Sequence, residues 1–183
     1  LNHITWTARI RSAPPAGRYC KRCGVKRDFT SSGLFRVNAR QKSLDVWLVY
    51  KCAACDATWN LPVLSRVHPR SIPPERLRGF HENDPGLAME YALDTALLRR
   101  GGAEPGVPEV DIIGADAAPP ARITIIPEAP MTLKAEAVLR QKLGLSRKGF
   151  EEMLTGGRLV CVSRHDLRKA KLSGEIIVEL RGG

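Results

Sequence analysis

Apolar and polar residues alternate from Thr5 to Ile10, which sets Trp6, Ala8 and Ile10 on one face of a predicted strand. Pro14-Pro15-Ala-Gly17 breaks that pattern. Leu34–Asn38 and Leu44–Lys51 read as two strands on either side of a polar turn, and the second is apolar enough to be largely buried. Thr58–Leu61 is a third strand candidate. Prolines at 62, 69, 73 and 74 argue against a long regular element between residues 62 and 74. Glu75–Phe80 has room for a short helix. Asp84-Pro85 joins an N-cap carboxylate to a proline at the first helical position. Leu87, Ala88, Tyr91 and Leu98 follow at helical spacing, and Arg99-Arg100 before Gly101-Gly102 supplies a basic last turn and a stop.

Residues 101–130 hold six prolines and four glycines, so they read as a linker carrying two short strand candidates, Val110–Ile113 and Arg122–Ile126. The last fifty residues are more regular. Leu133–Leu143 is a predicted helix ended by Gly144, and Ser146 caps a second whose apolar stripe is Phe150, Met153 and Leu154. Gly156-Gly157 stops it, and Arg158–Val162 and Glu175–Leu180 follow as strands. Helix–helix–strand–strand is the order of an α+β layer, and nothing repeats at a fixed period.

The 183 residues are enough for one ordinary domain or two small ones. Hydrophobic residues at 43% and charged residues at 26% exclude wholesale disorder. The longest clean apolar run, Val46–Tyr50, is far short of the roughly 20 residues of a membrane helix. The first twenty residues have no apolar stretch like that of a signal peptide, so a cytoplasmic protein is expected. The net charge of +10 is unevenly spread: residues 1–80 carry a balance of +11, residues 81–130 one of −6, and residues 131–183 one of +5. That layout suggests two basic modules around an acidic connection. Positive surfaces of this size attract polyanions, although a basic composition also serves solubility alone.

Cys20-Lys-Arg-Cys23 and Cys52-Ala-Ala-Cys55 are two C-x-x-C pairs separated by 28 residues. Each pair forms a tight turn that curls around a metal, and two pairs complete a tetrahedral thiolate shell. Soft thiolates suit Zn²⁺, and four sulfurs leave no open position for water, so the expected ion is structural. Iron in the same shell and two disulfides are the alternatives, the latter requiring an oxidising compartment. With strand candidates between the pairs, this half reads as a zinc ribbon, a small antiparallel sheet. Lys21, Arg22, Lys26, Arg27 and Lys51 surround it. Some of them offset the net −2 of four thiolates and Zn²⁺, which leaves an excess for phosphate contact.

Other residues carry less. Cys161 sits in an apolar strand as a small core residue. Trp6, Trp47 and Trp59 are expected core anchors of the ribbon. His3, His68, His81 and His165 are scattered, and no phosphate-binding loop, nucleophile elbow or zinc-protease motif is present. No constellation for catalysis emerges, and a non-enzymatic protein is expected.

Two resemblances add to this reading. Ser31–Ala39, Leu44–Cys52 and Cys55–Asn60 resemble a bacterial family called domain of unknown function 1062. The likeness runs over most of the chain and implies a cytoplasmic bacterial protein. Leu133–Val162, with Leu143-Gly-Leu-Ser-Arg147, Leu154, Gly157-Arg158 and Val160, is similar to the αL RNA-binding fold of ribosomal protein S-four. That similarity implies RNA-phosphate contacts by Ser146, Arg147 and Lys148, with Arg140, Lys142 and Arg158 nearby. Arg147 and Lys148 at a helix start oppose the macrodipole by roughly 0.3–1 kcal/mol each, and free N–H groups beside two cations suit a phosphate.

The expected fold is therefore α+β: a zinc ribbon over residues 1–65, a helical segment over 66–100, an acidic linker over 101–130 and an αL-like domain over 131–183. The expected function is non-catalytic binding of RNA, ribosomal or transfer RNA by analogy, through basic surfaces. An adaptor or regulator docking on protein or DNA is the alternative, favoured by Glu151 and Glu152, and an enzyme with an unrecognised site comes third.

Overall fold

A computed structural model describes residues 1–182 as ten strands, five α-helices and one short 3-10 helix (Pro69–Ser71), arranged in two compact units. One unit is continuous, Ala13–Gly106. The other is assembled from Leu1–Ser12 and Val107–Gly183.

The continuous unit is built on a five-stranded sheet. Its strands are β2 (Ala16–Cys20), β3 (Val25–Arg40), β4 (Ser43–Cys52), β5 (Thr58–Val67) and β6 (Glu104–Pro105), in the spatial order β5-β4-β3-β2-β6 with every pair antiparallel. On β4, Leu44, Val46, Leu48, Tyr50 and Cys52 are buried in strict alternation, as one face of a pleated strand requires. The helices α1 (Pro74–Glu82), α2 (Pro85–Leu93) and α3 (Thr95–Arg100) pack on that sheet through Phe80, Leu87, Ala88, Leu97 and Leu98. Asp84 caps α2 by accepting from the Leu87 N–H at 2.7 Å.

Two local expectations change. Asp94 accepts from the Leu97 N–H at 2.9 Å, so the predicted helix from Pro85 to Arg100 is two helices sharing one capping residue. Pro62 does not end the third strand, because β5 is an edge strand and its pairing with β4 shifts register beside Trp47–Pro62.

The second unit has the strands β1 (Asn2–Ser12), β7 (Glu109–Ile113), β8 (Ala121–Pro127), β9 (Leu159–Cys161) and β10 (Ile176–Leu180), in the order β7-β1-β8-β10-β9. Only β1 and β8 pair in parallel. The helices α4 (Ala135–Leu143) and α5 (Arg147–Thr155) bury Ala135, Val138, Leu139 and Phe150 with Trp6, Ile123, Ile125 and Val178. Gly144 ends α4 at φ 63°, and Ser146 caps α5 by accepting from the Gly149 N–H at 3.0 Å.

The expected partition needs correction. Residues 101–130 are not a linker: they contribute β6 to one sheet and β7 and β8 to the other. β1 is not part of the ribbon, and Trp6, fully buried, anchors the core of the second unit. The charge pattern changes with it. Residues 13–106 carry 15 basic and 9 acidic side chains, the remainder 14 and 10, so the units stand at +6 and +4 with no separate acidic module. None of the described helices is long and apolar enough to cross a membrane.

Trp6→Ala is expected to destabilise by about 3–5 kcal/mol, the usual loss for a large buried aromatic. Hydrogen exchange locates the damage: amides of β8 and β10 lose protection while those of β3 and β4 keep it. The reverse distribution would place Trp6 in the ribbon.

Candidate metal centre

The four predicted ligands come together. Cys20 ends β2 and Cys23 lies in the turn to β3; Cys52 ends β4 and Cys55 lies in the turn to β5. Pairing of Phe29 with Cys52, and an N–H from Ala53 to the Asp28 carbonyl at 2.9 Å, brings the second turn against β3. Both turns follow one design. The Gly24 N–H donates to the Cys20 carbonyl at 2.8 Å, and the Asp56 N–H to the Cys52 carbonyl at 2.9 Å. The fifth residue of each is left-handed, Gly24 at φ 72° and Asp56 at φ 61°. Asp tolerates that region better than most L-residues, which accounts for a non-glycine there.

Cys20 and Cys55 sulfurs are 3.5 Å apart, Cys23 and Cys52 sulfurs 4.0 Å, and all four lie within 4.8 Å of one another. A tetrahedron with metal–sulfur bonds of about 2.3 Å has edges of about 3.8 Å, so the cluster has the size of a four-thiolate shell. The cysteines are free, with no disulfide among them. Among the described residues this is the one group of three or more such donors able to hold a metal ion.

Burial and charge both act on the sulfurs. Cys20 and Cys52 are 1% and 2% exposed and belong to the core that includes Phe29, Tyr50 and Leu61. The Cys23 N–H pulls the Cys20 thiol down to about 7, against burial and with further help from Cys55 and Cys52. Cys55 moves up to about 12: the Ala57 N–H favours its thiolate, but burial and the other three sulfurs outweigh it. A divalent cation among them removes that conflict, since all four ionise on binding.

The surrounding cations divide. Arg22 donates to the Cys55 carbonyl at 3.2 Å and so ties one turn to the other. Lys26 pairs with Glu104, and Lys51 donates to the Thr58 hydroxyl at 2.6 Å. Lys21 and Arg27 are exposed and, among the described residues, have no ion pair. Arg18, which the sequence did not single out, stacks on Trp59 with 4.2 Å from guanidinium carbon to ring centroid. Only its neighbourhood in three dimensions reveals it. Trp59 is half-buried against Tyr50 and Phe29, and Trp47 is half-buried beside Arg36.

The six residues implied by the αL resemblance lie in the second unit. Arg140 reaches Glu136 and the Leu145 carbonyl, both at 3.4 Å. Lys142 donates to the Gly114 carbonyl at 2.9 Å and to Asp116 at 3.2 Å. Ser146 is the α5 cap, and Lys148 lies 3.9 Å from Glu152. Arg147 and Arg158 are exposed and have no ion pair among the described residues. Cys161 lies on β9 and packs against the core.

Removing one ligand, as in Cys52→Ser, is expected to abolish stoichiometric metal in the purified protein as read by elemental analysis. Stripping the metal with a strong chelator is expected to melt the 13–106 unit, and an unchanged melting curve would refute a structural ion. Gly24→Ala is expected to cost the metal-bound unit about 1 kcal/mol of unfolding free energy, read from a lowered urea midpoint. Open space surrounds the position, so the penalty is purely conformational.

No curated protein and no solved structure matches the chain. A family model described as protein of unknown function (DUF1062) matches residues 37–165, a span that takes in Cys52 and Cys55 and begins after Cys20 and Cys23. With about seven-tenths of its length inside that match, the chain belongs to the DUF1062 family.

Proposed function

We propose that this protein binds RNA without catalysis, through basic surfaces on both units, with one structural Zn²⁺ holding the ribbon together. The observation that carries the reading is an excess of exposed cations with no ion pair among the described residues, among them Lys21 and Arg27 on one unit and Arg147 and Arg158 on the other. Cations that stabilised the fold would be paired. Unpaired ones repel each other and favour a polyanion by counterion release.

Zinc is the ion because four thiolates at this spacing match its preferred shell, with no position left for water. A reduced, thiolate-holding site belongs in a reducing compartment, which favours the cytoplasm. In the second unit, Ser146 leaves the first N–H groups of α5 beside Arg147 and Lys148, a combination suited to a phosphate. Arg140 and Lys142 act beneath them: one braces the turn at Leu145, the other anchors the loop at Gly114. Glu151 is engaged by Arg168 at 2.8 Å, and Glu152 faces Lys148. Of the acids that favoured a protein partner, Glu151 is thus paired within the unit, while Glu152 meets Lys148 only loosely at 3.9 Å. Structured RNA such as ribosomal or transfer RNA remains the target class.

Affinity for total RNA, measured over a salt series, is expected to fall steeply as salt rises. Arg147→Glu is expected to weaken it several-fold and flatten the slope by about one to two charges' worth. Salt-insensitive capture of one protein, with no RNA bound, would replace this reading with the docking alternative.

A further inference from the structure

Three adjoining clefts run along the outer edge of the ribbon, and they share residues. A cleft of about 330 Å³ beside the metal-binding turns is lined by Arg18, Tyr19, Lys21, Arg22 and Trp59. The next, about 460 Å³, shares Arg18 and Tyr19 and adds Lys26 and Arg99. The third, about 510 Å³, shares Lys26 and adds Arg27. Six cations thus line this run of clefts, with Arg18 on the face of β2 opposite Tyr19. The acids along it are Glu104, which pairs with Lys26, and Asp28.

The path has an aromatic side chain at its middle. Tyr19 is 60% exposed and makes no ring contact or hydrogen bond among those of the described residues. A tyrosine on a strand more often covers apolar neighbours, and one left open in a cationic cleft is a free π-face. On the opposite face of β2, Arg18 is held flat by Trp59 and by Phe29 at 5.8 Å, and one of its amino nitrogens is sealed from solvent without a hydrogen-bond partner. Its guanidinium has no carboxylate partner among the described residues. The backbone beside both is also open, because β6 pairs only with Ala16 and Gly17.

We infer that this groove is a track for single-stranded RNA, with a base stacked on Tyr19 and the flanking phosphates held by Lys21 and Arg22. A cationic groove with an exposed ring is how unpaired nucleotides are gripped, whereas a duplex keeps its base faces covered. The inference rests on the RNA-binding reading and narrows it for this unit to unpaired segments. It also gives the metal a role in recognition: the turn that carries Lys21 and Arg22 keeps its shape only while its sulfurs are bound.

The test uses the full chain loaded with zinc and fluorescein-labelled octauridine, read by anisotropy. Tyr19→Ala is expected to weaken binding about 10-fold, and Tyr19→Phe to stay within about two-fold of the parent, because stacking needs the ring and not the hydroxyl. A Lys21→Glu, Arg22→Glu double variant is expected to lose more and to reduce the salt dependence. Lys169→Glu, at an exposed cation of the other unit, is expected to leave octauridine binding unchanged. Parent-like affinity for Tyr19→Ala overturns the groove. If Arg147→Glu then removes octauridine binding, the general RNA reading survives without it. Tighter binding of octathymidine than of octauridine reassigns the groove to DNA and overturns the proposal. Failure to bind octauridine, duplex RNA and total RNA alike removes both readings.

Discussion

Four sulfurs within 4.8 Å of one another cannot all be thiolates without a cation between them. Two unit charges at that range repel by about 4 kcal/mol even under the screening typical of a protein surface. The rest of the ribbon is arranged around this constraint. Two strand-to-strand turns are bent into the same shape to supply the sulfurs, and two of those sulfurs are also core side chains, in contact with the cluster of Phe29, Tyr50 and Leu61. The sheet, the core and the cationic turn therefore share one origin. A unit of fewer than a hundred residues has limited apolar surface to bury, and an ion contributing roughly 10–16 kcal/mol of apparent free energy is large on that scale.

The second unit reaches stability without any such device. Its sheet closes around β1, which has β7 on one side and β8 on the other and buries Ile4, Trp6 and Ala8 under α4 and α5. The segment after α5 is fixed the same way. Leu167 and Leu172 are buried, and the Leu172 carbonyl accepts from the Met131 N–H at 2.9 Å while its own N–H donates to Leu133. Helix–helix–strand–strand is present as expected, but it is only part of a five-stranded layer.

What the sequence revealed, and what it hid, follows from the range of the interactions involved. Cys20, Cys23, Cys52 and Cys55 were readable because ligand spacing is a local property imposed by the metal. The caps at Asp84 and Ser146 and the stop at Gly144 were readable for the same reason. Asp94 was misjudged because one carboxylate can end one helix and begin the next, and periodicity continues through it. The partnership of Thr7 with Ile113 and with Ile126 spans more than a hundred residues, and no local pattern encodes it. Proline and glycine between residues 101 and 130 suggested a tether. Those residues are punctuation between short strands, and the strands themselves were visible. Arg18 drew no attention because its significance is Trp59, forty-one positions away.

The route of the chain through the two units sets an order of events during synthesis. Residues 13–106 are contiguous, so once they leave the ribosome this unit has all its strands and all four clustered cysteines. β1 has emerged before any of this and has no sheet to join. Its strand partners lie beyond Gly106, and one of them, β8, is joined in turn by β10 some fifty residues later. An apolar strand bearing Trp6 must therefore wait for its partners while a complete unit is made and folds behind it. The interval between making β1 and making its partners is thus set by the length of the unit inserted between them.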